Sequence, residues 1–223
     1  MQSATAVADE ARPEEARARD ARRKPAEILA LAQIDPGQTI VDIASSSNYY
    51  APMLSAIAGP DDQLIMIEPK RLEPVLPQIL DRVAAYAAES ENDNITSVRV
   101  NLDELSFAAP VDRVLNILYY HDTVWTGVDR DKMNSAIFDA LAPGGYYLVA
   151  DHLAKVGAGD GVTQELHRID ATGLIEEIKR AGFELAADSD LLRNEEDTRE
   201  TGVFDPSIRG KTDRFVYLFK KPE

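Results

Sequence analysis

Histidine and aspartate stand next to each other at two places in the sequence, and each place follows an apolar run. Tyr120-His121-Asp122 follows the run over residues 111–119, and Asp151-His152 follows the run over residues 145–150. Histidine changes charge near neutral pH, and a neighbouring carboxylate can hold its ring for proton transfer. The same side chains can also bind a metal ion. The pattern indicates a site for acid–base or metal chemistry.

Three roles are open for these residues. In the leading one, a carboxylate holds His121, which removes a proton from a substrate hydroxyl near neutral pH. In the second, Asp122, Asp151 and His152 ligate a divalent metal that lowers the pKa of that hydroxyl. In the third, His121 makes structural hydrogen bonds under the cover of Trp125 and the tyrosines. The catalytic candidates are Tyr120, His121, Asp122 and His152.

Composition excludes several classes of function. The 223 residues include 24 Lys and Arg against 39 Asp and Glu, a formal net charge of −15. Such a chain repels a phosphate backbone, so we expect no nucleic-acid partner. The sequence has no cysteine, which excludes disulfides, thiolate catalysis and cysteine-ligated metals. No run approaches the roughly 18 consecutive apolar residues of a membrane span, so we expect a soluble chain without a membrane partner.

Two compartments are compatible with the N-terminal residues. Residues 3–9 (SATAVAD) are small and resemble the region around a signal-peptide cleavage site. A cytoplasmic protein is one expectation. A periplasmic or otherwise exported protein whose signal has been removed is the other.

Strand and helix patterns alternate through most of the chain. Apolar runs predict strands over residues 39–43, 63–67, 95–100, 111–119, 145–150, 183–187 and 214–220. Helical spacing predicts helices over residues 25–32, 49–58, 77–88, 130–141 and 163–181. This order predicts one α/β domain over residues 25–223: a mostly parallel seven-stranded sheet with an antiparallel C-terminal strand and helices on both faces. The many charged residues within residues 1–24 predict a charged arm that is either solvated or packed on a partner. One expected partner is a second copy of the chain, in a homodimer.

Several of these features resemble class I S-adenosylmethionine-dependent methyltransferases. They are the segment over residues 35–42 (DPGQTIVD), the acidic Glu68 at the end of the second strand, and the turn over residues 142–145 (APGG). More narrowly, Tyr120-His121-Asp122 and residues 167–170 (HRID) are similar to a bacterial group of predicted methyltransferases, some of them exported. The resemblance implies a Rossmann-like fold, S-adenosylmethionine as cofactor and a small-molecule substrate. It also implies that strands four and five are neighbours, which would bring His121 and His152 together.

The resemblance further implies where the cofactor would lie. The family's first loop reads acidic-x-Gly-x-Gly-x-Gly, and the matching positions here are Asp42, Ala44, Ser46 and Asn48. Glycine suits such a loop because it permits unusual φ values and close approach of a ligand. Side chains at these positions favour the alternative that the protein has lost the cofactor and is a binding or structural module. The implied cofactor contacts, with Glu68 on the ribose and Asp103 near the adenine, are Asp42, Ala44, Ser45, Ser46, Asn48, Glu68 and Asp103.

The substrate wall is predicted from the C-terminal third. His167 and Arg168 lie beside the apolar stripe of the predicted helix over residues 163–181, where they can face a substrate; a surface pair of His167 with Asp170 is the alternative. The polar connection over residues 191–212 is long enough to be functional, and we expect it to fold over the carboxyl edge of the sheet. The substrate-contact candidates are Trp125, His167, Arg168 and Arg193, with Arg209 as an alternative anion partner.

Overall fold

Seven strands form one sheet in the computed structural model, which describes residues 2–45, 48–59, 63–89 and 94–223. The strands are β1 (Ile40–Ile43), β2 (Leu64–Pro69), β3 (Ile95–Val100), β4 (Val111–Ile117), β5 (Leu141–His152), β6 (Glu184–Ser189) and β7 (Arg214–Lys220). Their order is β3-β2-β1-β4-β5-β7-β6. Neighbours from β3 to β5 pair in parallel, and β7 runs antiparallel to β5 and β6. The predicted mostly parallel sheet with an antiparallel C-terminal strand is confirmed.

The central strands bury side chains on both faces of the sheet. In β5, Tyr147 and Val149 join one apolar cluster, whereas Leu148 and Ala150 join the cluster on the other face. Successive side chains of a strand point to opposite faces, so two covered faces require an uninterrupted apolar run. The apolar runs in the sequence therefore arise because helices cover both sides of the sheet.

Ten helices surround the sheet in the described part of the chain. They are α1 (Gln2–Val7), α2 (Glu14–Arg17), α3 (Asp20–Arg23), α4 (Pro25–Leu31), α5 (Ala51–Ala58), α6 (Pro77–Glu89), α7 (Tyr120–Trp125), α8 (Arg130–Ala140), α9 (Thr163–Leu166) and α10 (Ala171–Arg180). Helices α4, α5 and α6 cover one face with Ile28, Met53 and Val83, and α8 and α10 cover the other with Met133 and Leu174. None of these helices is long and apolar enough to cross a membrane.

Residues 2–24 pack against the domain. Arg12 is 3% exposed and binds Asp20 through two hydrogen bonds of 2.8 Å. Asp20 also accepts a hydrogen bond from the Tyr49 hydroxyl at 2.5 Å, and the Arg23 guanidinium lies 4.5 Å from the centre of the Tyr49 ring. These contacts hold the arm against the segment before α5. The division at residue 24 and a homodimer contact through the arm stay predictions.

The predicted single helix over residues 163–181 is wrong. Helix α9 ends at Leu166, His167 adopts a left-handed backbone with φ 51°, and α10 begins only at Ala171. Between them Ile169 pairs with the end of β5: its N–H donates to His152 O, and its carbonyl accepts from Ala154 N–H, both at 2.9 Å. Asp170 then caps α10 by accepting from the Thr172 N–H. This pairing with β5 outweighs the helical preference of the segment.

The connection from β3 to β4 contains one 3₁₀ turn, Leu102–Glu104. It leaves an apolar groove of about 330 Å³ over β2 and β3, lined by residues such as Ile65, Val98 and Phe107. In the described part of the chain, its lining includes none of the predicted site residues. The predicted site lies instead at the carboxyl ends of the strands.

Candidate functional site

The loop after β1 has a left-handed backbone at two residues that are not glycine. Ala44 has φ 57° and Asn48 has φ 49°, a conformation that costs such residues roughly 1–2 kcal/mol. The Ala44 N–H donates to Ile67 O at 2.7 Å, which ties the loop to the end of β2. The loop thus has a glycine-like backbone at two positions where the methyltransferase pattern has glycine. Ser46, a predicted cofactor contact, lies outside the described residues.

Asp42 and Ser45 form a buried pair at the start of this loop. The Ser45 hydroxyl donates to Asp42 Oδ2 at 2.7 Å, and Asp42 is 4% exposed. Burial raises the pKa of Asp42 to about 7, although the hydrogen bond from Ser45 opposes the rise. Asp42 is therefore poised between its protonated and ionised forms at neutral pH.

Glu68 brings a second buried carboxyl group to the same place. It lies at the end of β2 and is 1% exposed, and neither carboxylate oxygen has a hydrogen-bond partner of normal geometry among the described residues. Burial, followed by the nearby charge of Asp42, raises the pKa of Glu68 to about 8. Buried carboxyl oxygens are normally satisfied. The Ser45 backbone N–H is the one described hydrogen-bonding group that acts on Glu68, and it opposes the rise in pKa. The two oxygens thus form an acceptor pair suited to a ligand with adjacent hydroxyl groups.

One of the two carboxylate oxygens of Asp103 is engaged in an ion pair with Arg71. Its Oδ2 accepts from Arg71 Nη2 at 2.6 Å and from the Asp129 N–H at 3.3 Å, whereas its buried Oδ1 has no partner of normal hydrogen-bond geometry among the described residues. The backbone N–H of Asp103 itself also stabilises this carboxylate. Burial acts to raise the pKa of Asp103, but the bonds from Asp129 and Arg71 outweigh it and lower the pKa. One oxygen thus orders the loops around the β3 end, and the other remains for a ligand.

The two tyrosines after β4 point to different places. Tyr120, a catalytic candidate, is fully buried beneath α8 and α10, where its hydroxyl accepts from Asn134 Nδ2 at 2.8 Å and donates to Glu177. Its position does not fit a catalytic role, because it lies in the core. The Tyr119 hydroxyl is buried without a partner of normal geometry among the described residues. After burial, the charges of Asp122 and Glu68 also raise the pKa of Tyr119. Tyr119 therefore interacts electrostatically both with Glu68, at the end of β2, and with Asp122, after β4.

His121 lies at the centre of a cluster of carboxylates and imidazoles. Its Nδ1 lies 2.8 Å from Asp151 Oδ1, and its backbone N–H donates to Asp151 Oδ2. Its Nε2 lies 3.1 Å from Asp122 Oδ1 and 3.2 Å from His167 Nδ1. The cluster gathers residues from the ends of β4 and β5 and from the break between α9 and α10.

The protonation of His121 does not favour the leading role. Burial acts to lower its pKa, but the charge of Asp151 and the hydrogen bonds to Asp122 and Asp151 outweigh burial and raise the pKa to about 10. Asp122 has a lowered pKa, because the bonds from His121 and His167 outweigh its burial. These partners favour the protonated imidazole, in which both ring nitrogens donate to carboxylates. The role of His121 as a base stays a prediction.

His152 lies beside the cluster but is engaged elsewhere. The rings of His121 and His152, expected to approach each other, have their centroids 6.1 Å apart. His152 Nδ1 lies 2.8 Å from Thr212 Oγ1. Burial, and then the charge of His121, lower the pKa of His152 well below its usual value, so the ring is neutral. The metal set of Asp122, Asp151 and His152 is not assembled, because Asp151 binds His121 and His152 binds Thr212.

The connection over residues 191–212 reaches this edge of the sheet. The Phe204 ring lies 4.8 Å from the His167 ring, and the Val203 N–H donates to Leu166 O at 3.1 Å. Phe204 is 62% exposed. The connection therefore lies over the carboxyl edge of the sheet, as expected, and places Phe204 next to the cluster of His121, Asp122 and His167.

Arg168 and Arg193 fasten this connection. Arg168 is 0% exposed and binds Asp197 with both terminal nitrogens, at 2.8 and 3.1 Å. Its predicted substrate contact is wrong, because its guanidinium is enclosed by protein. Arg193 pairs with the buried Asp213 at 2.8 Å and keeps 34% of its side chain exposed. Trp125, another substrate candidate, donates from Nε1 to Asp122 Oδ1 at 2.7 Å and so orients that carboxylate.

One site residue was missed by the sequence reasoning. Tyr119 was passed over for Tyr120, although only one of two adjacent residues at a helix start can face the cleft. Phe204, by contrast, is one of the two apolar residues, with Pro206, that predict an apolar cover from the connection over residues 191–212. Joining His167 to His121 needed the break between α9 and α10, and sequence spacing had concealed that break.

The comparisons with known proteins agree with this fold. No protein-family model matches the sequence. A curated relative, the arsenite methyltransferase of Halobacterium salinarum, is 20% identical over 136 residues, which make up 61% of this chain and 32% of that protein. The chain thus spans about a third of that relative's length.

Solved structures give broader coverage. An S-adenosylmethionine-dependent methyltransferase from Aquifex aeolicus matches with TM-score 0.61 and 12% identity, over 87% of this chain and 88% of that one. The glycopeptide N-methyltransferase MtfA, complexed with sinefungin, matches with TM-score 0.60 and 13% identity over 97% and 91%. A chain in the complex of the Haloferax volcanii methyltransferase activator Trm112 with a methyltransferase matches with TM-score 0.64 and 18% identity over 100% and 98%. The fold is that of class I S-adenosylmethionine-dependent methyltransferases.

Proposed function

We propose that this protein is an S-adenosylmethionine-dependent methyltransferase acting on a small molecule. The observation that carries the proposal is Glu68, a buried carboxyl group at the carboxyl end of β2 that the Ser45 backbone N–H approaches and whose oxygens have no partner of normal hydrogen-bond geometry among the described residues. A group of this kind is costly to bury alone, and two neighbouring hydroxyls would satisfy it. A ribose supplies such a pair, and the carboxyl ends of open parallel sheets are where ligands bind.

The residues around Glu68 fit the cofactor in chemistry and in backbone shape. The left-handed residues Ala44 and Asn48 would turn the loop along the ligand, and Asp42 with Ser45 would fix its start. Oδ1 of Asp103, which has no partner of normal geometry among the described residues, would accept a hydrogen bond near the base. When bound, S-adenosylmethionine supplies an electrophilic methyl group. The chain's own contribution is to hold the two reactants in line and to exclude water.

The methyl acceptor would lie next to the cluster of His121, Asp122 and His167. Tyr119, whose hydroxyl feels the charges of both Glu68 and Asp122, spans the distance from the cofactor pocket to this cluster. Phe204 offers an exposed apolar ring beside His167 for the rest of the molecule.

At pH 9, where Glu68 is ionised, Glu68→Ala should weaken binding of S-adenosylhomocysteine by about 1–3 kcal/mol, because the charge-assisted hydrogen bonds to ribose are lost. Isothermal titration calorimetry measures the change. Glu73→Ala is the matched control: this carboxylate is in the next turn of the chain, 47% of its side chain is exposed, and it pairs with Arg99. The affinity of Glu73→Ala for S-adenosylhomocysteine should equal that of the wild type.

Two outcomes would contradict the proposal. Equal affinities for the wild type and Glu68→Ala would remove Glu68 from the cofactor site. A wild type without measurable affinity for either S-adenosylmethionine or S-adenosylhomocysteine would favour the alternative, a methyltransferase fold that serves as a binding or structural module.

A further inference from the structure

We propose that His121, Asp122 and His167 form a binding site for one divalent first-row transition metal ion. The three donor atoms are His121 Nε2, Asp122 Oδ1 and His167 Nδ1, and they lie within 4.8 Å of one another. Two imidazoles and one carboxylate suit ions such as Zn²⁺, Mn²⁺ or Fe²⁺. Mg²⁺ prefers oxygen ligands and is not the ion expected here.

The spacing of the donor atoms matches a shared ion. The three separations are 3.1 Å, 3.2 Å and 3.3 Å, close to an equilateral triangle. For ligands about 2.0–2.1 Å from a metal, tetrahedral geometry separates the donor atoms by about 3.3–3.4 Å, and octahedral geometry separates them by about 2.8–3.0 Å. The observed triangle falls between these two values, so an ion can reach all three atoms with little movement.

Asp151 supports His121 as the partner of a metal ligand. A ligating imidazole almost always donates its other N–H to a carboxylate, a carbonyl or water. His121 Nδ1 lies 2.8 and 3.0 Å from the two oxygens of Asp151, which is 0% exposed. Because Nδ1 is engaged by Asp151, Nε2 of His121 is the ring nitrogen that faces Asp122 Oδ1 and His167 Nδ1. A bound ion would take the place of the protons that the three donor atoms otherwise share.

The other two ligands are also held in place. Trp125 Nε1 donates to Asp122 Oδ1 at 2.7 Å. His167 has a left-handed backbone, and the residue after it is Arg168, whose buried pairing with Asp197 fixes the segment. Strain of this kind persists where the surroundings enforce it, and it is common at functional sites.

One side of the triangle is open toward the cleft. The side chains of His167 and Asp122 are 25% and 18% exposed, whereas that of His121 is 4% exposed. A catalytic metal typically keeps a coordination position for water or substrate. An acceptor bound there through a hydroxyl or carboxylate oxygen would lie near the methyl donor; this role, though not the metal site itself, rests on the proposed function.

Metal binding to the full chain tests the site directly. The protein is stripped with a chelator and titrated with Co²⁺, whose visible spectrum reports imidazole and carboxylate ligation, and then with Zn²⁺ in competition. The wild type should bind one ion per chain. Since loss of a supporting hydrogen bond costs about 10–100-fold in affinity, Asp151→Asn should weaken binding by that amount, and His167→Ala by at least about 100-fold.

His152→Gln is the matched control. This third histidine lies 6.1 Å from His121 between ring centroids and is not one of the three ligands, so its metal affinity should equal that of the wild type. Thermal unfolding of each variant checks the fold, and Asp122→Asn, which keeps the side-chain shape, provides a second ligand variant. Binding weaker than about 1 mM by the wild type, or equal losses in His152→Gln and His167→Ala, would overturn the site.

Cofactor binding by the metal-free protein keeps the two proposals separate. If S-adenosylhomocysteine binds and no metal does, only the metal site is overturned. If a metal binds through these ligands and S-adenosylhomocysteine does not, the metal site stands and the proposed methyltransferase function fails.

Discussion

Arg168→Met should lower the free energy of unfolding by about 3–5 kcal/mol, because it leaves the buried carboxylate of Asp197 without its cation. Arg168 is 0% exposed, and the Asp197 side chain is 2% exposed. The same guanidinium donates to Leu153 O and to Thr201 O, so the substitution also leaves two carbonyl groups without a partner. Urea unfolding followed by circular dichroism measures the loss.

Arg180→Met provides a matched control for this prediction. Arg180 also pairs with an aspartate at 2.8 Å, but the side chains of Arg180 and Asp131 are 56% and 68% exposed. An exposed pair contributes about 0–1 kcal/mol, so little stability should be lost. Equal losses in the two variants would mean that burial of the Arg168 pair has no special effect. Adding Asp197→Asn to Arg168→Met should recover part of the stability, because it removes the uncompensated charge.

Arg168 also illustrates what sequence alone could not settle. A charged residue beside a predicted apolar helical stripe indicates a surface position. Its real direction depends on the bridge between Ile169 and Leu153 and on Asp197, which lies 29 residues further along the chain. Neither contact has a local pattern. The same break in the helix moved His167 into the cluster with His121.

The sheet, by contrast, was predictable because its pattern is local. Residues 95–100 and 214–220 were predicted as strands with the bounds that β3 and β7 have. The central strands are short apolar runs between polar turns, and two covered faces leave no helical periodicity. The position of the candidate residues at strand ends followed from the same rule, which placed His121, Asp122 and Glu68 at one edge of the sheet.

Side-chain direction at those strand ends was not predictable. Tyr119 and Tyr120 are identical in type, and the start of α7 decides that Tyr120 enters the core. The loop after β1 was expected to oppose the cofactor because it lacks glycine. Ala44 nevertheless holds a left-handed backbone, since the Ala44 N–H is tied to Ile67 O. Backbone shape there is set by a bond between strands, and composition does not reveal that bond.

The cofactor-free protein should lose stability as pH rises from about 4 to about 8, and Glu68→Gln should reduce that loss. The ordinary pKa values of Asp42 and Glu68 are 3.8 and 4.5, and in the folded protein burial raises them to about 7 and about 8. Between these limits the folded state holds more protons than the unfolded state. The free energy of unfolding therefore falls across these limits and levels off once pH exceeds the folded pKa values of about 7 and about 8.

The difference between wild type and Glu68→Gln isolates one group from the rest of the titration. At pH 9 the variant should be more stable than the wild type by about 2–4 kcal/mol, since the amide avoids a buried unpaired charge. At pH 5 the two should differ much less, because Glu68 is protonated in the folded wild type. Glu73→Gln is the exposed control and should show neither effect. A constant difference between wild type and Glu68→Gln across this range would contradict the assigned burial.

Cofactor affinity should change with pH in the opposite direction to stability. Ribose hydroxyls would donate to Glu68, and an ionised carboxylate is the stronger acceptor. Affinity for S-adenosylhomocysteine should then rise by about 10-fold or more from pH 6 to pH 9, because each pH unit below the pKa of Glu68 reduces the ionised fraction tenfold. Calorimetry at several pH values measures the rise, which Glu68→Gln should abolish. Falling stability together with rising affinity in the wild type distinguishes a ligand-binding carboxyl group from one that is only buried, for which affinity would not depend on pH.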